Sequence, residues 1–235
     1  MTDRRGHMEV TMARERDRIL TRRASFAVVG GLVLPPLMET VQAAEQPSAQ
    51  GIVRALQELT SEQEVLKAMQ ERIVRGAGGE TGLRRIKEEE QEFIKEMRRR
   101  STRSFTEEDR ARTWEIARRK PNIDLEINFD LDSAVINARA KPLAVELGRA
   151  LVDPQLRGVV CLVGGHTDGR GGDAYNLDLS QRRAETLKAF LVETFRIPVA
   201  NLIAVGYGKE RLKNPGNPFA DENRRVQVVN MLKPE

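Results

Sequence analysis

The sequence predicts a two-layer α/β domain over residues 121–235, one sheet with helices against it. A charged helical segment and an N-terminal export sequence precede it. Three observations carry this reading. From Pro121 onward, short apolar runs of strand length alternate with stretches of helical period. Residues 44–120 keep the helical period, but between thin apolar stripes they are densely charged. Residues 1–43 join a basic run to an uncharged apolar stretch.

The first segment, 1–43, reads as an address. Arg14, Arg16, Arg18, Arg22 and Arg23 precede residues 24–38 (ASFAVVGGLVLPPLM), and Val41-Gln42-Ala43 approaches the small-x-small pattern of a signal-peptidase site. Spanning a bilayer takes about 20 apolar residues. The shorter stretch here, broken by Pro35-Pro36, predicts a cleaved signal peptide; a retained membrane-anchoring helix is the alternative. Thr21-Arg22-Arg23-Ala24-Ser25-Phe26 resembles a twin-arginine signal with Ser25 where an apolar residue belongs, so Sec and twin-arginine export stay open. No Cys follows the apolar stretch, which argues against a lipid anchor. Residues 1–11 read as upstream over-extension, with Met8 and Met12 as alternative starts.

The second segment, 44–120, reads as a charged helical linker or partner-binding region. Ile52, Leu56 and Leu59, then Val65, Met69 and Ile73, fall at three- and four-residue spacings, with Ser61 and Glu64 as a capping box between two helices. Glycines at 76, 78, 79 and 82 break the pattern. A further helix over 83–100 carries the stripe Leu83, Ile86, Phe93, Ile94 and Met97, with acids early and Arg98-Arg99-Arg100 late, as the helix dipole favours. A last helix begins after Thr106 and carries Trp114 and Ile116. The thin stripes predict a solvated linker with little tertiary packing, and the triple arginine a solvated face.

In the third segment, 121–235, Ile123, Leu125, Ile127 and Phe129 alternate with polar residues as a half-buried strand. A helix with Leu143, Leu147 and Leu151 on one stripe follows, with Asn137 as a cap; Pro142 requires that helix to kink or to start later. Residues 159–163 (VVCLV) read as a fully buried strand. Asp173 opens a long helix to about Phe195, residues 202–205 form a strand, and 224–231 form the last one after a Pro- and Gly-rich excursion.

Composition narrows the function. Basic and acidic residues number 7 and 5 in 1–43, 16 and 15 in 44–119, and 16 and 15 in 120–235, so no segment has the concentrated positive charge of a nucleic-acid binder. The single Cys161 excludes an internal disulfide, and two histidines leave little for a metal centre. No cofactor is expected: the glycines of 164–172 lack the Gly-Lys-Ser/Thr ending of a phosphate loop. His166, without a second ligand or a nucleophile, reads as structural.

One constellation suggests chemistry. Asn176, Ser180 and Arg183 share a helical stripe that starts beside the glycine loop carrying Asp168. A carboxylate and a guanidinium facing one cleft hold a zwitterion: Asp takes an ammonium, Arg forks onto a carboxylate, and the helix N-terminus favours the same anion. Spacing alone leaves the other reading open, in which Asp168 caps a turn and Arg183 pairs on the surface.

Five motifs then occur in order: Asn128-Phe129-Asp130-Leu131-Asp132-Ser133-Ala134, Gly165-His166-Thr167-Asp168, Tyr175-Asn176-Leu177-Asp178-Leu179-Ser180-Gln181-Arg182-Arg183-Ala184, Gly206-Tyr207-Gly208-Lys209-Glu210 and Asn223-Arg224-Arg225-Val226. Over residues 128–231 the chain resembles the OmpA-like peptidoglycan-binding family, shared by outer-membrane porins, peptidoglycan-associated lipoproteins and the stator protein MotB. The resemblance implies an OmpA-like sandwich, a mixed sheet with helices packed on one face. It also implies non-covalent binding of peptidoglycan through the diaminopimelate residue of its stem peptide, in the periplasm or at the outer membrane. Carried across by motif, Asp168 meets the ammonium and Arg183 the carboxylate. Asn176 and Leu179 line the cleft, the Phe129-Asp130 turn supplies backbone donors, and Arg224 or Arg225 flanks it. Two rivals are weaker. A wall enzyme needs paired acids or a metal triad, and a proton-conducting stator needs an acid within 24–38, where there is none. The expected protein is a non-enzymatic envelope tether, with an envelope partner for the helices of 52–119.

Overall fold

Strand formation follows the apolar runs. In the computed structural model, which describes residues 46–127, 129 and 132–233, the runs become β1 (Asn122–Leu125), β2 (Val160–Gly165), β3 (Leu202–Gly206) and β4 (Val226–Leu232). Among the described residues they form one mixed sheet in the order β1-β4-β2-β3; β4 runs antiparallel to both its neighbours, and β2 and β3 are parallel. β1 is shorter than its alternation predicts, because Ile127 N–H turns back onto the Leu125 carbonyl at 2.8 Å. The export-sequence reading for 1–43 lies outside the described residues. Among the described residues, no helix is long and apolar enough to cross a membrane.

One sheet face carries Leu125, Cys161, Val163, Leu202, Ala204, Val226 and Val228. It is covered by α1 (Ala49–Gln57), α4 (Lys141–Leu151) and α5 (Asp173–Phe195). Pro142 stands in the first turn of α4, so that helix starts late rather than kinking, and the Asn137 side chain caps the turn before it by accepting from the Arg139 and Ala140 N–H groups. Both helices of the third segment lie on this one face, as expected.

The preceding segment departs from its reading as a loosely packed linker. α1 buries Ile52, Val53 and Leu56 against α4 and the sheet. α2 (Ser61–Arg99) reverses at Gly79, whose φ of 61° and ψ of −156° only glycine adopts readily. Its arms run back along each other, with Lys87 3.7 Å from Glu71. The return arm places Phe93, Ile94 and Met97, and α3 (Glu107–Ala117) places Ile116 and Ala117, on the second sheet face against Val160, Leu162, Ile203, Val205, Val229 and Met231. Each large side chain so buried contributes about 1.5–3 kcal/mol, which a thin stripe suffices to supply. From Gln46 onward the chain is therefore one compact unit.

Two local readings shift. The capping box is Thr60 with Gln63, one residue earlier than read, because the buried Gln63 amide also donates to the Lys120 carbonyl at 2.7 Å. The triple arginine is not merely solvated. Arg98 donates to the Ala200 carbonyl at 2.7 Å, and Arg100 forks onto Asp109 at 2.8 and 3.2 Å. By contrast Val65, Met69 and Ile73 on the outgoing arm are exposed, so their periodicity does not mark a packed face.

Candidate functional site

The site is built where α5 meets the ends of β2 and β3. Gly165 and Gly206 are register partners there, and a Cβ on Gly165 would sit 2.2 Å from the Ser180 carbonyl oxygen, one on Gly206 2.5 Å from Gln181 N. The absence of side chains lets the helix backbone rest directly on the sheet. Ser180 then plays a structural part, since its hydroxyl donates to the Leu177 carbonyl at 2.9 Å and accepts the Gly208 N–H at 2.8 Å. Asn176 and Leu179, expected to line the cleft, are buried by the same close approach. The Asn176 amide clamps the glycine loop by donating to the Arg170 and Gly172 carbonyls at 2.6 and 3.0 Å.

The loop after β2 is held by its backbone. Thr167 N–H donates to Gly208 O and Gly169 N–H to Pro218 O, tying it to the 206–222 excursion. This fixes Asp168, 7% exposed, beside Arg224, which lines the crevice. One carboxylate oxygen accepts the Arg170 backbone N–H at 3.0 Å; the other accepts from the Arg170 and Arg224 guanidinium groups at 2.9 and 3.0 Å. Arg224 is braced from behind by Asp221 at 2.7 Å. Burial pulls the Arg224 pKa down, and the hydrogen bonds it donates to Asp168 and Asp221 more than reverse this, leaving it above its ordinary value.

Arg183 shares the crevice without being the group that grips Asp168. Its Nε donates to the Ser133 carbonyl at 2.9 Å, and its guanidinium carbon lies 5.1 Å from the centre of the Phe129 ring. Burial lowers its pKa; the nearby Arg224 charge adds to that and the Asp168 carboxylate opposes it. Ile127, Phe129, His166, Arg183, Arg224 and Arg225 line the crevice. Arg225 diverges, however, forking from Asp124 at 3.1 Å to the Arg211 carbonyl, a bracing role rather than an open one. Asp130, and the donors expected from its turn, lie outside the described residues.

Sequence reasoning missed Arg170 and Ser133. Arg170 had a local signal, since an Asp two residues before it can accept its N–H in an Asx turn; Ser133 had none. His166 is buried, its ring stacked on Tyr207 at 5.2 Å and edge-on to Trp114 at 6.0 Å, and burial depresses its pKa well below the ordinary value. Burial likewise pushes the Cys161 thiol up to about 12, which leaves it an unreactive core residue. Among the described residues, no three His, Cys, Asp or Glu side chains converge as a metal site would need. A buried carboxylate thus sits against guanidinium groups, one of which lines the crevice.

Residues 128–225 match the model of the OmpA family. Outer membrane porin F of Pseudomonas fluorescens is 37% identical over 116 residues, which cover 45% of this chain and 32% of that protein. The peptidoglycan-associated lipoprotein of Brucella melitensis is 34% identical over 113 residues, covering 46% of this chain and 65% of that one. The solved peptidoglycan-associated lipoprotein of Burkholderia pseudomallei superimposes with a TM-score of 0.37 at 30% identity, over 44% of this chain and 85% of that one. The chain spans less than a third of the length of the porin F relatives it matches.

Proposed function

We propose that this chain, whose residues 128–225 form an OmpA-family domain, is a wall-binding protein of the periplasm that holds peptidoglycan non-covalently by the diaminopimelate residue of the stem peptide. The observation that carries the reading is Asp168, buried and paired with Arg224, next to a crevice that Arg183, Arg224 and Arg225 line. Diaminopimelate offers an ammonium and a carboxylate on one carbon. The ammonium meets Asp168, and the carboxylate meets Arg183 with Arg224 alongside. Arg170, with its side chain 63% exposed, is the cation that yields its place on Asp168 to the ligand's ammonium, whereas Arg224 is pinned by Asp221. Among the described residues no second acid or nucleophile lines the crevice to suit Asp168 to acid–base work, which supports a binding module over an enzyme.

The exposed stripe of Val65, Met69 and Ile73 supports a second element of the reading, contact between the helical region and an envelope protein. The chain then tethers or organises the envelope, close to the outer membrane.

Cosedimentation of the full chain with diaminopimelate-type sacculi, against lysine-type sacculi as control, tests this. Pelleting with the first alone is the expected result. Asp168→Ala and Arg183→Ala each remove the protein's half of a charge pair made with the ligand, a loss of about 2–5 kcal/mol of binding, and each abolishes pelleting while circular dichroism stays native. Asp168→Asn keeps the shape and loses the charge, so it separates recognition from folding. Native binding by folded variants sinks the zwitterion model.

A further inference from the structure

A cavity of about 450 Å³ opens along the seam between the two arms of α2, beside the end of β4. Positions 67, 70, 71 and 74 of the outgoing arm line it, and positions 83, 86, 87 and 90 of the return arm. Each set is spaced i, i+3, i+4, i+7, so each is one helical stripe, and the two stripes share the cavity. The base of the seam is fixed. The buried Gln63 amide donates to the Lys120 carbonyl at 2.7 Å, and Asn230 N–H donates to the Pro121 carbonyl at 2.9 Å. Towards the tip the arms draw together, with the Val74 carbonyl oxygen 3.7 Å from where a side chain on Gly82 would begin. The volume lies within the range of small-molecule sites, about 300–1,000 Å³. Every residue that lines the cavity lies outside residues 128–225, so the site belongs to what this chain adds to its OmpA-family domain.

The lining says what would fit. Leu59, Val74, Ile86 and Leu232 stay only half-buried and give the cavity its apolar wall. Five cations line it against two acids, Glu71 and Glu90. Both acids are already engaged, Glu71 by Lys87 at 3.7 Å, and Glu90 by Lys120 and Arg119 at 2.6 and 3.5 Å. Lys67 and Lys233 have no acid partner among the described residues, which leaves the rim with a surplus of positive charge. Asn230, 3% exposed, also stands in the wall. Its side-chain nitrogen donates to the Leu56 carbonyl at 2.8 Å, while its Oδ1 has no donor, a rare state for a buried acceptor.

We propose that the seam of α2 binds a single-chain anionic amphiphile, a fatty-acid carboxylate whose acyl chain lies along the apolar wall and whose head meets the cationic rim at Lys67. Charge complementarity selects the head, since a cationic chain would be repelled there. An extended peptide is a poorer fit. Both arms satisfy their backbone groups within the helix, and β4 is paired on both sides, so no free sheet edge is offered. The site shares no residue with the arginine-lined crevice, so the inference stands apart from the wall-binding reading.

The test is isothermal titration of the full chain with dodecanoate below its micelle concentration, with dodecyltrimethylammonium as the same chain under a cationic head. The expected result is one saturable dodecanoate site per chain and at least about tenfold weaker binding of the cation. Ile86→Trp fills the cavity and should abolish the site. Lys67→Glu, at an exposed position that folding does not need, should weaken it about tenfold while the urea midpoint and pelleting with sacculi stay as in the wild type. Absence of a saturable dodecanoate site in the wild-type chain overturns the proposal, whatever the chain does with sacculi. Equal binding of the two probes overturns the charge selection. Wild-type affinity in Lys67→Glu and in folded Ile86→Trp overturns the placement. Adsorption to phosphatidylglycerol vesicles without a saturable dodecanoate site also overturns the proposal and assigns these cations to a bilayer surface.

Discussion

The outgoing and return arms of α2 invert the usual relation between charge and burial. Residues 61–78 carry 6 charged side chains in 18 positions and present Val65, Met69 and Ile73 to solvent. Residues 80–99 carry 12 in 20 and drive Phe93, Ile94 and Met97 into the second face of the sheet. The more charged arm is the structural one. What decides the matter is position. In the return arm the few apolar residues share one stripe, and that stripe has an apolar sheet face to meet. The outgoing arm turns Leu66 and Val74 inward and leaves its more regular stripe outside. Composition reports how much surface a helix can bury, and the partner decides whether it does so.

The harshest way to break this contrast is Ile94→Asp. An unpaired carboxylate in the cluster on the second sheet face would cost about 4 kcal/mol or more, and urea denaturation would show a collapsed or absent cooperative transition. Native stability in that variant would mean that the return arm is a spacer after all.

A smaller effect comes from His166, whose ring lies against Trp114 of α3. Its folded pKa is depressed by burial, with the Arg225 and Arg211 charges pushing the same way. The native state therefore refuses a proton that the unfolded chain accepts below about pH 6.5. Stability from this group is complete above that pH and falls by about 1.4 kcal/mol per unit as the pH drops toward the depressed folded value. Urea midpoints between pH 7.5 and 5.5 should show the slope, and His166→Leu should flatten it. A slope unchanged in that variant would mean that the cover does not desolvate the imidazole.

The smallest effect sharpens the other side. Val65→Ser, Met69→Ser and Ile73→Ser should each change stability by no more than about 0.5 kcal/mol, while the triple variant loses any envelope partner of the outgoing arm. A large loss of stability in the purified chain would show that a second copy covers the stripe.

Much of this was legible. Alternation in 123–127, the extent of α5, the start of α3 at Thr106 and the glycine break all follow from local rules of period and capping. The covered second face had a signal that local reading passed over. Residues 159–163 and 202–205 contain no charged or strongly polar residue, so both faces of those strands had to be dry, yet the third segment holds helices for only one. In the site, Asp168 and Arg183 stand out because helical spacing and a strand end bring them near each other. The grip of Arg224 on Asp168 depends on where a long excursion returns, which no local pattern encodes. Asn176 and Leu179 point into the protein because two glycines lower α5 onto the sheet, a matter of clearance rather than of period.

The sheet order also has a consequence in time. β4 comes last among the strands and lies between β1 and β2, and Asn230 within it hydrogen-bonds Leu56, 174 residues earlier. A chain that emerges N-terminus first, from a ribosome or an export pore, cannot zip this sheet progressively. The β2–β3 pair can form earlier, but β1 has no strand neighbour until the final strand arrives and closes the seams to β1 and β2 at once. Folding is thereby timed to the release of the end of the domain, and any truncation that removes β4 forfeits the whole structure rather than its last piece.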